Sequence, residues 1–165
     1  LEGAMRPTHF KGVTTVVAKL FNAVQPHKAY FGQKDAQQAA VIRQMVRDLN
    51  FPLEVVVCPI VREADGLAMA RRNKYLEGDD RKAATVLFQA LSAAKSAYEG
   101  GERNAEKLRE KMKEVIEAEP RAQMQYVSCA DYDSLEELDV VKRKTLLSMA
   151  AVLGKTRLID NFMLG

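Results

Sequence analysis

The sequence has no tryptophan, only two cysteines and only two histidines among its 165 residues. Cys58 and Cys129 lie far apart and lack metal-binding spacing. We interpret them as buried thiols of a reducing, cytoplasmic environment, rather than as a disulfide or zinc framework. His9 and His27 are the two histidines, and no catalytic triad, metal cluster or paired-carboxylate site is evident in the sequence. We therefore expect no dedicated metal site.

Long apolar runs and a strong net charge are also missing. The longest apolar run, residues 55–61, is interrupted by Pro59 and is far too short to cross a bilayer, so we expect no membrane partner. The net charge is only +3, without a basic stripe of interleaved aromatics, which argues against nucleic acid. The start at Leu1-Glu2-Gly3 is typical of sequence from the middle of a protein, and we expect a fragment.

What is present is ordinary globular composition, with 47% hydrophobic and 28% charged residues. Residues 8–58 have the periodicity of helix, strand, helix and strand, with the strand–helix–strand part spaced as a right-handed parallel crossover. The first helix, for which Thr8 is the candidate N-cap, has one continuous apolar face: Phe10, Val13, Val16, Val17, Leu20, Phe21 and Val24. The second helix runs from Ala36 to Leu49 and buries Leu49, and the strand at Leu53–Cys58 is expected to be covered on both faces.

The character of the chain changes after Leu76. We predict one long helix capped by Asp79 or Asp80 and stopped at Gly100-Gly101, then a helix capped by Asn104. A strand at 123–130, a short helical turn at 134–138 and a hairpin of 146–153 with 156–159 follow. The fold class is therefore α/β: part of a Rossmann-like parallel sheet (residues 1–75) followed by a small α+β domain with antiparallel strands (residues 76–165).

A candidate anion site lies at residues 28–38. Tyr30-Phe31 end a strand, Gly32 suits a tight turn, and Asp35 suits the N-cap of the next helix. Free N–H groups and the helix dipole attract anions at such a point, and Lys34 adds a cation there. An ordinary turn with a solvated lysine is the alternative interpretation.

A second polar segment follows the next strand. Residues 62–75 contain Gly66 and three arginines, Arg62, Arg71 and Arg72. Ligands of open α/β sheets bind at the carboxyl ends of strands. We therefore predict that this loop and the Lys34 turn meet at one edge of one sheet.

Three blocks of the sequence, in order, carry a family resemblance. They read Arg-Pro-Thr-His-Phe-Lys-Gly-Val-Thr-Thr-Val-Val-Ala-Lys-Leu from residue 6, Tyr-Phe-Gly-Gln-Lys-Asp-Ala-Gln-Gln from residue 30, and Val-Arg-Glu-Ala-Asp-Gly-Leu-Ala-Met from residue 61, continuing to Arg-Arg-Asn-Lys-Tyr-Leu. With the tail Thr-Arg-Leu-Ile-Asp-Asn from residue 156, they resemble the pantothenate synthetases, or pantoate–β-alanine ligases. The resemblance covers nearly the whole chain but only the second half of the family's sequence, and the family's HxGH motif lies upstream of it.

The resemblance implies an ATP-dependent ligase. It would activate pantoate as pantoyl adenylate with release of pyrophosphate, and β-alanine would then displace AMP to give pantothenate. ATP would enter with Mg²⁺, and the intact enzyme would be a homo-oligomer, expected to be a dimer. The substrates pantoate, β-alanine and ATP are therefore the expected partners.

The resemblance also assigns site residues. Lys34 and Arg72 would be catalytic cations. ATP would contact Gly32, Gln33, Lys34, Asp35 (on the ribose hydroxyls), Val61, Met69, Ala70, Arg71 and Arg72. Pantoate would contact Gln38, Val16 and Val17, although the two valines also fit a helix core. Arg6 and His9 lie in the first block and would face the site, but a His9 bonded to backbone at the helix start fits equally well.

One departure and one gap qualify the resemblance. Where the family usually has Ser-Ser-Arg-Asn, this chain has Ala70-Arg71-Arg72-Asn73, so Ala70 is limited to backbone contacts, while Arg71 would bind phosphate or point to solvent. Because the HxGH part is missing, we expect the isolated chain to be inactive and to associate through exposed edges and apolar faces. The alternative is a non-catalytic folding or assembly module that complements a separate N-terminal half.

Overall fold

The structure, a computed structural model, describes residues 8–165 of the chain. It divides into two compact units, Leu1–Ile60 and Val61–Gly165, described separately below. The boundary expected near residue 75 falls within the second unit, and the domain division of the whole protein stays a prediction. Across the described part of the chain, no helix combines the length and the apolar character needed to cross a membrane.

Over its described residues, 8–60, the first unit contains two helices and a two-stranded parallel sheet. Its elements are α1 (His9–Val24), β1 (Lys28–Gly32), a 3-10 turn (Gln33–Asp35), α2 (Ala36–Asp48) and β2 (Glu54–Cys58). β1 pairs with β2 in parallel, from Lys28 opposite Glu54 to Gly32 opposite Cys58. The predicted helix–strand–helix–strand order and the parallel pairing are confirmed.

The core of this unit is small. Phe21, Ile42 and Met45 are buried, with Val13 and Val17 packed against them among other partly buried side chains. Only one side of the apolar face of α1 therefore contributes to this core.

The apolar face predicted on α1 is only partly buried, because Val16, Leu20 and Val24 are 58%, 54% and 69% exposed. Leu49, expected in the core, is also exposed, since it follows the last turn of α2. In β2, residues 55–58 are half-buried, so this two-stranded sheet does not cover both faces of the strand as predicted.

The second unit packs helices on one antiparallel sheet. Its elements are a 3-10 helix (Arg71–Tyr75), α3 (Gly78–Ala83), α4 (Val86–Glu99), α5 (Ala105–Glu117), β3 (Ala122–Asp131), β4 (Thr145–Leu153) and β5 (Thr156–Leu164). The strand order is β3-β4-β5, antiparallel throughout. This confirms the small α+β unit, with β5 longer than predicted.

The single long helix predicted after residue 79 is wrong, because it is broken between α3 and α4. At the break, the Thr85 N–H and hydroxyl both donate to Lys82 O, at 3.2 and 2.8 Å. A threonine hydroxyl that bonds a nearby carbonyl competes with the helical ladder in this way.

The helical turn predicted at 134–138 is also wrong. Leu135 has a φ of 61°, and Asp131 Oδ1 accepts the N–H groups of Asp133 and Ser134 at 3.1 and 2.8 Å. An aspartate that accepts its own downstream N–H groups favours a turn over a helix.

The core of the second unit is made by the buried faces of α4, α5 and the sheet, and includes Leu91, Leu108, Met112 and Leu147. Cys129 lies within it, and burial raises its pKa to about 11, so its thiol is protonated and unreactive at neutral pH. Cys58, expected to be buried, is only half-buried.

Asn104 is the N-cap of α5 as predicted, because its Oδ1 accepts the Lys107 N–H at 3.1 Å. We expect Asn104→Ala to lower the free energy of unfolding by about 1 kcal/mol. Asn104→Asp, which keeps the acceptor, is the matched control and should stay near wild type. Urea titrations followed by circular dichroism measure both variants, and an equal loss in both would contradict the capping role.

Candidate functional site

The first part of the candidate site is the turn between β1 and α2. Gly32 ends β1, and Gln33, Lys34 and Asp35 form a 3-10 turn before α2 begins at Ala36. Lys34 is half-buried and Asp35 is exposed. The predicted strand, turn and helix start are therefore present, with the lysine in the turn itself.

Two details of this turn differ from expectation. Gly32 has φ −78° and ψ 134°, which any residue can adopt, and an added Cβ would meet nothing within 4 Å. The turn therefore does not require glycine for its backbone shape. Asp35 precedes α2 but its side chain makes no capping hydrogen bond, so the predicted side-chain cap is wrong. Its carboxylate is not engaged in capping the helix.

The residues expected around pantoate lie on α1 and α2, which pack against each other. Gln38 is half-buried in the first turn of α2. Val17 packs against the core of the first unit, whereas Val16 is exposed. His9 is half-buried, with its ring centroid 5.1 Å from that of Phe10. Arg6 lies outside the described residues.

The second part of the candidate site is a narrow loop that opens the second unit. Glu63 N–H donates to Leu67 O at 2.8 Å, and Met69 N–H donates to Val61 O at 2.9 Å. Gly66 is buried at the tip with φ 92°, and a Cβ there would come 2.3 Å from the Phe88 ring. This glycine is thus required both by backbone conformation and by close packing.

Arg62 anchors this loop to the last strand of the chain. Its Nη1 and Nη2 donate to the two carboxylate oxygens of Asp160 at 2.7 and 2.9 Å. The same guanidinium donates to Gly66 O at 2.9 Å and Asn161 O at 3.3 Å. It lies 5.0 and 4.9 Å from the ring centroids of Phe88 and Phe162. Both Nη atoms of Arg62 therefore have hydrogen-bond partners within the second unit.

The segment after the loop carries the remaining predicted nucleotide residues. Val61 and Met69 lie side by side and are 67% and 55% exposed. Ala70 precedes the 3-10 helix that begins with Arg71 and Arg72, both exposed. The structure thus brings these five residues together along one exposed stretch.

Arg72 is fixed at one point, because its Nη1 donates to Arg157 O on β5 at 2.9 Å. A guanidinium has five N–H donors. One bond to a carbonyl is therefore compatible with a phosphate contact from the other edge of the group.

The loop is also stabilised by a network of two carboxylates with an arginine and an asparagine. Arg81 pairs with Glu63 and Asp65, both at 2.7 Å, and Asn73 Nδ2 donates to Glu63 at 2.8 Å. The Asn73 and Arg81 hydrogen bonds lower the pKa of Glu63, and the Arg81 hydrogen bond lowers that of Asp65. Both carboxylates are thus held charged in the folded protein.

The two parts of the candidate site belong to different units, and their meeting at one sheet edge stays a prediction. The parallel register supports it, since Gly32 and Cys58 are direct partners at the ends of β1 and β2. The anchoring pair of Arg62 with Asp160 was not predicted. Its two members are 98 residues apart, and only their presence in the quoted sequence blocks could have drawn attention to them.

Comparison with known proteins gives a consistent result. The family described as Pantoate-beta-alanine ligase matches residues 1–163. The pantothenate synthetase of Roseiflexus castenholzii is 60% identical over 164 residues, and that of Thermoanaerobacter sp. strain X514 is 56% identical over 163. Each match covers 99% of this chain but only 59% and 58% of the relative. The chain thus spans about three-fifths of the length of these curated relatives.

Solved structures agree in fold. Pantothenate synthetase from Thermus thermophilus matches with a TM-score of 0.94 and 44% identity, over 98% of this chain and 58% of that one. Pantoate-beta-alanine ligase from Francisella tularensis, solved with β,γ-ATP and β-alanine, matches with a TM-score of 0.69 and 33% identity. That match covers 99% of this chain and 53% of the other.

Among residues 8–165, no group of three or more histidine, cysteine or acidic side chains is arranged to hold a metal ion.

The network around Arg81 predicts a pH dependence of stability. The pKa values of Glu63 and Asp65 lie below their ordinary 4.5 and 3.8. At pH values between the folded and unfolded pKa values, the unfolded chain therefore binds more protons than the folded chain. The stabilisation from these carboxylates is present above their unfolded pKa values and is lost as the pH falls through their pKa values in the folded protein. Arg81→Met should flatten the fall in unfolding free energy between about pH 5 and pH 3.

The matched control is Lys82→Met, which removes the adjacent cation from a far more exposed pair with Asp79. Denaturant titrations at several pH values should leave its pH profile close to wild type. Parallel profiles for wild type and Arg81→Met would show that Arg81 does not hold these carboxylates charged.

Proposed function

The chain belongs to the pantoate-beta-alanine ligase family, and we propose that it supplies one part of an ATP-dependent enzyme that joins pantoate to β-alanine. The observation that carries the proposal is that this match runs through residues 1–163 and so includes both candidate site segments. The structure solved with β,γ-ATP and β-alanine supports nucleotide binding by this fold. The substrates would be pantoate, β-alanine and ATP as its magnesium complex.

The proposed reaction has two steps. A carboxylate oxygen of pantoate attacks the α-phosphorus of ATP, forming the acyl adenylate while the bond to pyrophosphate breaks. The amine of β-alanine then attacks the acyl carbon and loses a proton, and AMP leaves with the electrons of the acyl–oxygen bond. Negative charge grows on the leaving pyrophosphate in the first step, so nearby cations and N–H donors lower the barrier.

Lys34 and Arg72 supply those cations in this proposal. Lys34 lies in the 3-10 turn directly before α2, where free N–H groups and the helix dipole also favour a phosphate. Arg72 is exposed in the segment after the narrow loop and uses one Nη atom on Arg157 O. Its guanidinium keeps donors for a phosphate oxygen.

The rest of the nucleotide would lie along the same two segments. The backbone of Gly32 and Gln33 faces the phosphates, and the exposed carboxylate of Asp35 accepts from the ribose hydroxyls. Val61 and Met69 expose apolar surface suited to the nucleoside, and Ala70 contributes only its backbone. Arg71 adds a second exposed cation in this segment.

Pantoate would be held by α1 and α2. The Gln38 amide hydrogen-bonds the polar groups of pantoate, and Val16 and Val17 form an apolar wall for its methyl groups. The exposure of Val16 supports this, since a side chain that only filled the core would be buried. His9 and Arg6, from the same block, would face the site.

Release of AMP from ATP, pantoate and β-alanine tests the proposal. We expect none from the 165-residue chain alone, and activity from the chain completed by the remaining, upstream part of the Roseiflexus castenholzii relative. Activity from the chain alone would contradict the need for that part. Absence of AMP in both, with the completed protein folded, would favour a non-catalytic folding or assembly module.

Lys34 can be tested with a matched lysine from the same strand–turn segment. We expect Lys34→Met in the completed protein to lower kcat on the order of a hundredfold or more, because a cation aimed at developing charge is lost. Lys28→Met removes a lysine that pairs with Glu54 at the other end of β1, and its kcat should stay near wild type. Equal kcat values for the two variants would show that Lys34 does not act at the phosphate site.

A further inference from the structure

The narrow loop at residues 61–69 has a rigid attachment at its base. Arg62 has an 18% exposed side chain and Asp160 a 3% exposed one. Removing an arginine from water is costly unless its N–H groups are satisfied. Here the carboxylate and two carbonyls accept from it, and two rings flank it. Such an arginine has one well-defined position.

Asp160 is itself fixed by the strand that carries it. The residue lies in β5 opposite Met149 of β4, and its Oδ1 accepts the Asn161 N–H at 2.8 Å. Its carboxylate cannot move without breaking this hydrogen bond and the two bonds to Arg62. The position of Arg62, and with it the base of the loop, is therefore set by β5.

The same strand fixes the far end of this segment. Arg72 Nη1 donates to Arg157 O, three residues before Asp160. Around the two attachments, Met69 N–H donates to Val61 O, and Asn73 N–H donates to Ala70 O. The segment that carries Met69 to Arg72 is thus attached to β5 at two points, through Arg62 before the stretch and through Arg72 at its end.

We propose that Asp160 is a positioning residue for ATP, acting through Arg62 to hold the stretch 69–72 in the geometry that receives the nucleotide. The inference rests on the proposed function. Because only 3% of the Asp160 side chain is exposed, it acts on ATP only through the loop. Displacement of a substrate-binding group by about 1 Å is enough to cost on the order of a hundredfold in rate.

The test is Asp160→Asn in the completed protein. The amide keeps the size and one acceptor but loses the charge that holds both Nη atoms of Arg62. We expect KM for ATP to rise on the order of tenfold, as for other groups that orient a binding residue, with KM for pantoate unchanged. Hydrogen exchange at the amides of Leu67, Met69 and Asn73 should become faster than in wild type.

Glu137→Gln is the matched control. Glu137 pairs with Arg109, whose side chain is 14% exposed and also donates to two carbonyls, of Cys129 and Leu138. The hydrogen bonds of Arg109 go to residues 106–138, away from the narrow loop. We expect Glu137→Gln to lower the melting temperature while leaving KM for ATP and loop exchange unchanged.

The outcomes separate the inference from the proposed function. Raised KM for ATP and faster loop exchange in Asp160→Asn alone support the positioning role. If both variants lose only stability, with equal KM values and equal loop exchange, the role is overturned. If the completed wild-type protein releases no AMP, the proposed function fails, and unchanged loop exchange in Asp160→Asn would separately show that Asp160 does not hold the loop.

Discussion

The bidentate pair of Arg62 with Asp160 is the interaction on which the geometry of the second unit's exposed segment depends. A buried pair gains little net stability, because desolvation offsets the attraction, but removing one partner leaves an uncompensated charge. The Arg62–Asp160 pair therefore determines the arrangement of the loop more than the net stability of the unit. A loop near the start of the unit takes its position from the last strand, and the segment with Met69 and Arg72 depends on these contacts with β5 for its shape.

The first unit is constrained differently. A parallel pair such as β1 and β2 is normally covered on both faces, yet the residues of β2 after Glu54 are only half-buried and part of the apolar face of α1 is exposed. The chain spans 59% of the length of a relative that is 60% identical to it. Under the proposed function, the exposed Val16 serves the substrate. The first unit thus combines a small core with apolar side chains that lie outside this core and are exposed.

Local sequence signals predicted much of this fold. Periodicity located α1, α2 and both parallel strands, and residue chemistry located the Asn104 cap and the hairpin turn between residues 153 and 156. Features that the periodicity of apolar residues does not encode were missed. The break before α4 comes from the Thr85 hydroxyl, and the exposure of Val16 and Leu49 depends on how little packs against them. For the site, the resemblance pointed to Lys34 and Arg72, but no local pattern could pair Arg62 with a residue 98 positions away.

The most direct test of this account is a crystal structure of the completed protein with a non-hydrolysable ATP analogue. The account predicts that Lys34 and Arg72 both contact the phosphates, and that Arg62 remains paired with both carboxylate oxygens of Asp160. An analogue bound away from the 69–72 stretch would contradict the assignment of the site. Phosphates held by Arg72 after the Arg62–Asp160 pair has separated would contradict the claim that β5 sets its position.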